Sequence, residues 1–139
     1  MGIVTNDKFY SVDGSIKSPI NFNLLYKNPS NELYYKKDTE KPYSGQVVGK
    51  NNNFVTLIEG RPDGPYKGYY ENGQLQQEGT NKDGKKDGLF KDYYQNGQLQ
   101  SEGTYKDGKL HGLWKSYYEN GQLKGEVMLK DGEIIDIKK

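Results

Sequence analysis

The strongest constraint on the fold of this chain is a repeat of 24 residues in its second half. Residues 64–70 match residues 88–94 and 112–118 and indicate a degenerate earlier copy, and residues 45–48 suggest another. A fixed period of this length is typical of arrays in which each repeat forms one supersecondary unit and buries its surface against its neighbours. Three copies align without gaps, at residues 69–92, 93–116 and 117–139.

Each copy contains two dipeptides that favour tight turns, Asn-Gly and, 11 residues later, Asp-Gly. Both central residues of a type I′ turn need positive φ, which Asn, Asp and Gly tolerate. We therefore expect a two-residue hairpin turn at every such dipeptide, and the strand register follows. Around Asn96-Gly97 the register predicts tyrosine–leucine, lysine–glutamate and aromatic–glycine pairs, namely Tyr94–Leu99, Lys91–Glu102 and Phe90–Gly103. The other two Asn-Gly turns predict Tyr70–Leu75, Lys67–Glu78, Tyr66–Gly79, Tyr118–Leu123, Lys115–Glu126 and Trp114–Val127.

Alternation of side chains along these strands predicts two distinct faces of one sheet. The Asp-Gly turns are consistent with this assignment, because Tyr105 falls opposite Leu110. The aromatic face is predicted to carry Tyr70, Leu75, Phe90, Tyr94, Leu99, Tyr105, Leu110, Trp114, Tyr118 and Leu123. The outward face is predicted to carry Lys67, Tyr69, Glu78, Lys91, Tyr93, Glu102, Lys115, Tyr117 and Glu126.

The composition fits such a sheet. The mean hydropathy of −1.06 and the hydrophobic fraction of 32% would suggest disorder, but 13% of the residues are aromatic and 18 are glycine. Disordered chains are poor in aromatic residues. We therefore expect tyrosine rings to supply the buried area that aliphatic side chains usually provide, with glycines forming turns and admitting rings over the sheet.

The pattern YYxNGxLxxEGxYxDGxxxGxWxx resembles the MORN repeat, specifically its bacterial variant. The resemblance covers residues 64–132 well and residues 41–45 weakly. It implies an all-β fold, an elongated single-layer antiparallel meander of β-hairpins curled into a trough. Residues 1–32 do not match and are interpreted as a lead-in segment, followed by a repeat domain at 33–139 with degenerate repeats at 33–63.

Most catalytic and metal chemistry is disfavoured by the residue inventory. The chain has no Cys and one His, so it lacks a thiol nucleophile, a thiolate metal site and any multi-histidine site. Glu78, Glu102 and Glu126 each have a predicted lysine partner, and no phosphate-binding loop or kinase signature is present. We expect no enzyme activity, no cofactor and no metal. The net charge of +1 also gives no field that would attract nucleic acid.

Two surfaces are candidates for interaction. On the outward face, Tyr69, Tyr93 and Tyr117 recur beside Lys67, Lys91 and Lys115 and are the candidate partner-binding residues, although tyrosines also shield the backbone of half-exposed sheets. Tyr70, Phe90, Tyr94, Trp114 and Tyr118 form the structural aromatic face. That face could be covered by curvature of the sheet, by a second copy in a homodimer, or by apolar lead-in residues, which are Ile20, Phe22, Leu24, Leu25 and Tyr26.

These features predict a binding or scaffold module for an unidentified protein partner. Some bacterial relatives of the repeat are labelled antitoxins, which suggests an antitoxin-like role. The alternative is a carbohydrate or cell-wall ligand-binding module, since aromatic and glycine-rich hairpin repeats also occur there. Lysines in the Asp-Gly turns suggest phospholipid contact, although aspartates interrupt them. The chain reads as soluble; its compartment stays open between the cytoplasm and export after removal of a signal peptide.

Overall fold

The computed structural model describes residues 3–5, 8–10 and 16–138. In that part of the chain the regular structure is β-strand, apart from two short 3₁₀ turns at Phe22–Leu24 and Lys50–Asn52. The strands are β1 (Ile3–Thr5), β2 (Lys8–Tyr10), β3 (Ile16–Lys17), β4 (Ile20–Asn21), β5 (Leu25–Lys27), β6 (Tyr34–Lys36), β7 (Gly45–Val48), β8 (Phe54–Ile58), β9 (Arg61–Tyr69), β10 (Leu75–Lys82), β11 (Lys85–Lys86), β12 (Gly88–Tyr93), β13 (Leu99–Lys106), β14 (Lys109–Leu110), β15 (Gly112–Tyr117), β16 (Leu123–Lys130) and β17 (Glu133–Lys138).

One large open sheet contains most of these strands, in the order β17-β16-β15-β13-β12-β10-β9-β8-β7-β4. Neighbours from β7 to β17 are antiparallel and follow the chain order, and the short strands β11 and β14 pair with β10 and β13. Strand β4 adds to the far edge in parallel with β7. The predicted all-β antiparallel meander is therefore confirmed.

The Asp-Gly turns have the expected type I′ conformation. Asp107 has φ of 51° and Gly108 has φ of 83°, and the dipeptides at 83–84 and 131–132 are alike. The turn aligns Lys106 with Lys109 and Tyr105 with Leu110, as predicted. A two-residue turn with two left-handed residues matches the twist of the flanking strands.

The Asn-Gly turns differ from the prediction, because each is a three-residue loop. The N–H of Gly97 donates to the carbonyl of Tyr94 at 2.9 Å, and the N–H of Tyr94 donates to the carbonyl of Gln98 at 2.8 Å. Gly97 has φ of 90°, whereas Asn96 does not have positive φ. The Asn96 side chain instead accepts a hydrogen bond from the Gln98 N–H at 2.9 Å. This hydrogen bond from the backbone to the Asn side chain favours a type I turn, which is followed by a glycine in the left-handed conformation.

A β-bulge then restores the predicted register. Tyr93 pairs with Leu99, but Asp92 pairs with Ser101, so one residue is left over on the outgoing strand. This unpaired residue of the strand compensates for the third residue of the loop, so the pairing beyond the bulge is the one predicted for a two-residue turn. The lysine–glutamate pairs and the aromatic–glycine pairs, including Tyr66–Gly79, are therefore confirmed, and so is the pair Trp114–Val127. The predicted pairs Tyr70–Leu75, Tyr94–Leu99 and Tyr118–Leu123 are wrong, because the leucines lie opposite Tyr69, Tyr93 and Tyr117.

A conventional hydrophobic core lies at the amino-terminal end of the large sheet. Leu25, Tyr43, Val47 and Leu57 are buried together, with Ile20 among the residues packed against them. The described part of the lead-in thus packs on the first strands of the sheet. Its other apolar side chains, Phe22, Leu24 and Tyr26, are about half exposed.

In the repeats, aromatic rings packed on glycines replace such a core. Phe90 is 2% exposed, and a Cβ added at Gly79 would lie 2.4 Å from its Cδ1. A Cβ added at Gly103 would lie 2.3 Å from Cε3 of Trp114. Each of these two rings therefore rests on the glycine of the preceding hairpin. Phe90 also meets Tyr105 edge-on, with the ring centroids 5.3 Å apart.

Candidate functional site

The outward face is built by alternate residues of β9, β10, β12, β13, β15 and β16. Leu89 pairs with Thr104 and Lys91 pairs with Glu102 across β12 and β13, so these four residues share a face. Between β10 and β12 the register also aligns Glu78 with Lys91. Each glutamate therefore lies between lysines of two successive repeats.

Two of the three candidate tyrosines are fixed by these glutamates. The Tyr93 hydroxyl donates to Oε1 of Glu78 at 3.2 Å, and the Tyr117 hydroxyl donates to Oε1 of Glu102 at 3.1 Å. Burial, followed by the charge and hydrogen bond of Glu78, raises the pKa of Tyr93 to about 12. Burial and Glu102 raise the pKa of Tyr117 as well. The hydrogen bonds hold both hydroxyl groups in place, and the raised pKa keeps each ring neutral to a higher pH than an exposed tyrosine.

Tyr69 has a different environment. The residue opposite Lys67 on the preceding strand is Phe54, so this first tyrosine has no glutamate at the equivalent position. Its backbone N–H donates to Oδ1 of Asn53 at 2.6 Å. The ordered Tyr–Glu arrangement thus begins with the second tyrosine of the series.

The lysines beside the fixed tyrosines are available for contact. Lys91 and Lys115 form no ion pair within 4 Å in the part of the chain that the structure describes, although the register places each opposite a glutamate. Both side chains are partly buried, so their aliphatic stems lie against the sheet. An ammonium group on a packed stem can bind a carboxylate or carbonyl with a small loss of side-chain entropy.

A shallow open groove of about 370 Å³ lies on the outward face between β9, β10 and β12. Leu89 is 50% exposed within it, an unusual position for a leucine in a sheet that buries so few aliphatic residues. Apolar, hydroxyl and charged groups therefore converge here. The lining residues are Pro65, Tyr66, Lys67, Glu78, Gly79, Thr80, Leu89 and Lys91.

The second tyrosine of each YY pair joins one repeat to the next. The Tyr70 hydroxyl donates to the carbonyl of Tyr93 at 2.6 Å, and the Tyr94 hydroxyl donates to the carbonyl of Tyr117 at 2.7 Å. Tyr118 is the last of the series and is 50% exposed. These contacts give Tyr70 and Tyr94 a structural role, as Phe90 and Trp114 have through their packing on glycines.

The environment of His111 does not resemble a catalytic site. Its backbone N–H donates to the carbonyl of Thr104 at 2.8 Å, as the register predicts, and its Nδ1 lies 3.9 Å from Oδ1 of Asp131.

Within residues 18–137 no cluster of three or more His, Asp or Glu side chains could hold a metal ion. Among the described residues there is no helical segment that could span a membrane.

The fold defines a β-hairpin repeat protein. The family model described as MORN repeat variant matches residues 62–83, 86–107 and 110–131. These three tandem matches span about half of the chain, and the chain belongs to the MORN repeat family. Repeats of this family are generally non-enzymatic modules that bind proteins or membranes. A search of curated proteins finds no match for this chain.

Proposed function

We propose that the chain is a non-enzymatic module that binds a partner protein along its outward face. The observation that carries this proposal is the groove in which half-exposed Leu89 lies beside Lys91 and Thr80. An apolar contact surrounded by polar groups is the usual anatomy of a protein interface. The proposed ligand is an extended protein segment that places an apolar side chain on Leu89 and a carboxylate near Lys91.

Rigidity of the outward face supports this proposal. Tyr93 and Tyr117 are fixed by hydrogen bonds to glutamates of the preceding hairpin. Groups that are already ordered lose little conformational entropy on binding, and tyrosine combines a large contact area with few rotatable bonds. The 24-residue period repeats the arrangement, since Leu113 and Lys115 occupy the positions of Leu89 and Lys91. A segment that crosses two repeats would meet the same groups twice.

The proposal includes an antitoxin-like role as one form of protein binding. It competes with carbohydrate binding, for which stacking on an aromatic side chain would be needed. Trp114, the single tryptophan, packs against Gly103, opposite Val127. A phospholipid surface is the third ligand class, because lysines lie in each Asp-Gly turn region.

The experiment compares three immobilised chains as baits in a lysate of the native host. They are the wild type, the outward-face variant Leu89→Asp with Lys91→Glu, and a matched control, Leu24→Asp with Lys50→Glu. Leu24 is 44% exposed and Lys50 is exposed, and both lie outside the three repeats that the family model matches. Thermal melting by circular dichroism checks that both variants fold.

We expect a protein retained by the wild type and by the control but lost from the outward-face variant. A protein retained equally by all three baits would contradict the proposed surface, and the absence of any specifically retained protein would contradict protein binding. Two further arms separate the other ligand classes. Co-flotation with anionic phospholipid vesicles would favour membrane binding, and quenching of Trp114 fluorescence by polysaccharide would favour carbohydrate binding.

A further inference from the structure

The three Asn-Gly loops lie side by side, and the last of them differs from the other two in one hydrogen bond. The Asn72 side-chain nitrogen Nδ2 donates to the carbonyl of Gln95 at 3.3 Å, and Nδ2 of Asn96 donates to the carbonyl of Glu119 at 3.3 Å. Nδ2 of Asn120 donates to no acceptor among the residues that the structure describes. The side-chain amide is therefore anchored to the following loop in the first two loops, whereas in the third it is exposed to solvent.

Within each loop the hydrogen bonds are the same. Oδ1 of each asparagine accepts from the backbone N–H two residues further on, at 2.9 Å in all three loops. The N–H of each glycine donates to the carbonyl of the tyrosine three residues before it. The sequence YYENGQL is also identical at residues 69–75 and 117–123. A difference in reactivity between Asn72 and Asn120 would therefore arise from the contacts between loops and not from the local sequence.

Asparagine followed by glycine is the dipeptide most prone to deamidation, because glycine has no side chain to hinder a close approach of its backbone nitrogen. That nitrogen, after losing its proton, attacks Cγ of the asparagine. The bond from Cγ to the side-chain nitrogen breaks, ammonia leaves, and a cyclic succinimide remains. Water then opens the succinimide at either carbonyl, which gives aspartate or isoaspartate. In these loops the glycine N–H and the asparagine Oδ1 are both hydrogen-bonded, so the loop has to open locally before the attack.

We propose that Asn120 is a deamidation site of the folded chain and reacts before Asn72 and Asn96. Opening either of the first two loops also breaks the bond from Nδ2 to the following loop, whereas the loop at Asn120 opens without this step. One net hydrogen bond changes such an opening equilibrium by a factor of about two to ten. The product has a new carboxylate beside Glu119, and its isoaspartate form has a longer loop backbone. Asn120 does not line the groove at Leu89, so this modification goes beyond the proposed binding function.

The full wild-type chain is suited to the test, because cleavage after lysine separates the three sites. They fall in the peptides 68–82, 92–106 and 116–124. The folded chain is incubated at mildly alkaline pH, and samples are digested briefly at weakly acidic pH, which suppresses further deamidation. Mass spectrometry gives the deamidated fraction of each peptide, and fragmentation distinguishes Asn72 from Asn81. We expect Asn120 to deamidate about two to ten times faster than Asn72.

The same incubation in guanidinium chloride is the matched control. Unfolding removes the contacts between loops but leaves the two identical local sequences, so Asn72 and Asn120 should then deamidate at equal rates. Equal rates in the folded chain, a faster reaction at Asn72, or no deamidation of Asn120 while the unfolded chain reacts would overturn the proposal. A preference for Asn120 of the same size in the unfolded chain would also overturn it, because the preference would then not depend on the fold.

Discussion

Replacing Gly103 with alanine tests whether aromatic rings on glycines form the core of the repeats. The new Cβ would lie 2.3 Å from Cε3 and 3.1 Å from Cζ3 of Trp114, whereas ordinary contact begins at 3.4 Å. The indole ring would have to move by roughly 1 Å away from the sheet, which forfeits part of its dispersion contact. Gly103 does not have positive φ, so backbone strain does not add to the effect. Overpacking of this kind costs about 1–3 kcal/mol.

Two comparisons isolate the ring as the cause. Gly49→Ala adds a Cβ whose nearest atom is 3.9 Å away, so stability should be unchanged or rise by about 0.4–1 kcal/mol through the unfolded chain. In a Trp114→Ala background the cost of Gly103→Ala should fall, with a coupling energy of about 0.5–3 kcal/mol between the two sites. Urea unfolding followed by circular dichroism measures all of these chains. A Gly103→Ala chain as stable as wild type, or a cost that is unchanged without the indole, would refute the explanation.

Three further predictions concern the contacts between repeats and the amino-terminal core. Tyr94→Phe removes the hydroxyl that donates to a carbonyl of the next repeat at 2.7 Å, and the free energy of unfolding measured in urea should fall by about 0.5–1.5 kcal/mol. Tyr118→Phe, at the last tyrosine of the series, is the control, and equal effects of the two substitutions would contradict the inter-repeat role. The pKa of Tyr93, about 12, lies above its value of about 10 in the unfolded chain, so its contribution to stability is complete below pH 10 and is lost as the pH rises from 10 to 12. Ultraviolet titration should show late-ionising tyrosines, and in Glu78→Gln the contribution of Tyr93 should move to lower pH. A titration unchanged by Glu78→Gln would count against the hydrogen bond. Leu25→Ala, at a side chain 7% exposed, should cost about 2–5 kcal/mol, and a loss below 0.5 kcal/mol would show that the lead-in does not stabilise the sheet.

The register of the repeats could be predicted from the sequence because two departures from the predicted hairpin, the longer loop and the β-bulge, cancel. Lys91–Glu102 and Phe90–Gly103 are observed as expected, although the loop between them is one residue longer than a type I′ turn. Asn and Asp before Gly look equivalent in sequence, since both tolerate positive φ. They differ in the structure because Asn96 accepts a hydrogen bond from Gln98, whereas Asp107 takes φ of 51°. The turn preferences of Asn and Asp alone do not decide between the three-residue loop and the type I′ turn.

The candidate site could be predicted in part. The sequence indicated that Tyr93 and Tyr117 recur with lysines, and the structure adds that their hydroxyls bind Glu78 and Glu102 of the preceding hairpin. The constant spacing of 15 residues between each glutamate and its tyrosine is the sequence pattern from which these hydrogen bonds could have been predicted. The exposure of Leu89 could not be deduced, because it depends on how neighbouring strands leave a groove between Pro65 and Lys91.

Thiol protection tests most directly the central claim that the outward face is the partner-binding surface. The chain contains no cysteine, so a single introduced thiol reports on one position. Thr104→Cys places it on the outward face beside Leu89, and Ser116→Cys places it on the opposite face, where Ser116 pairs with Ser101. When the protein retained by the wild-type bait is added, the rate of thiol labelling should fall at position 104 and stay unchanged at position 116. Protection at position 116 with unchanged labelling at position 104 would contradict the claim.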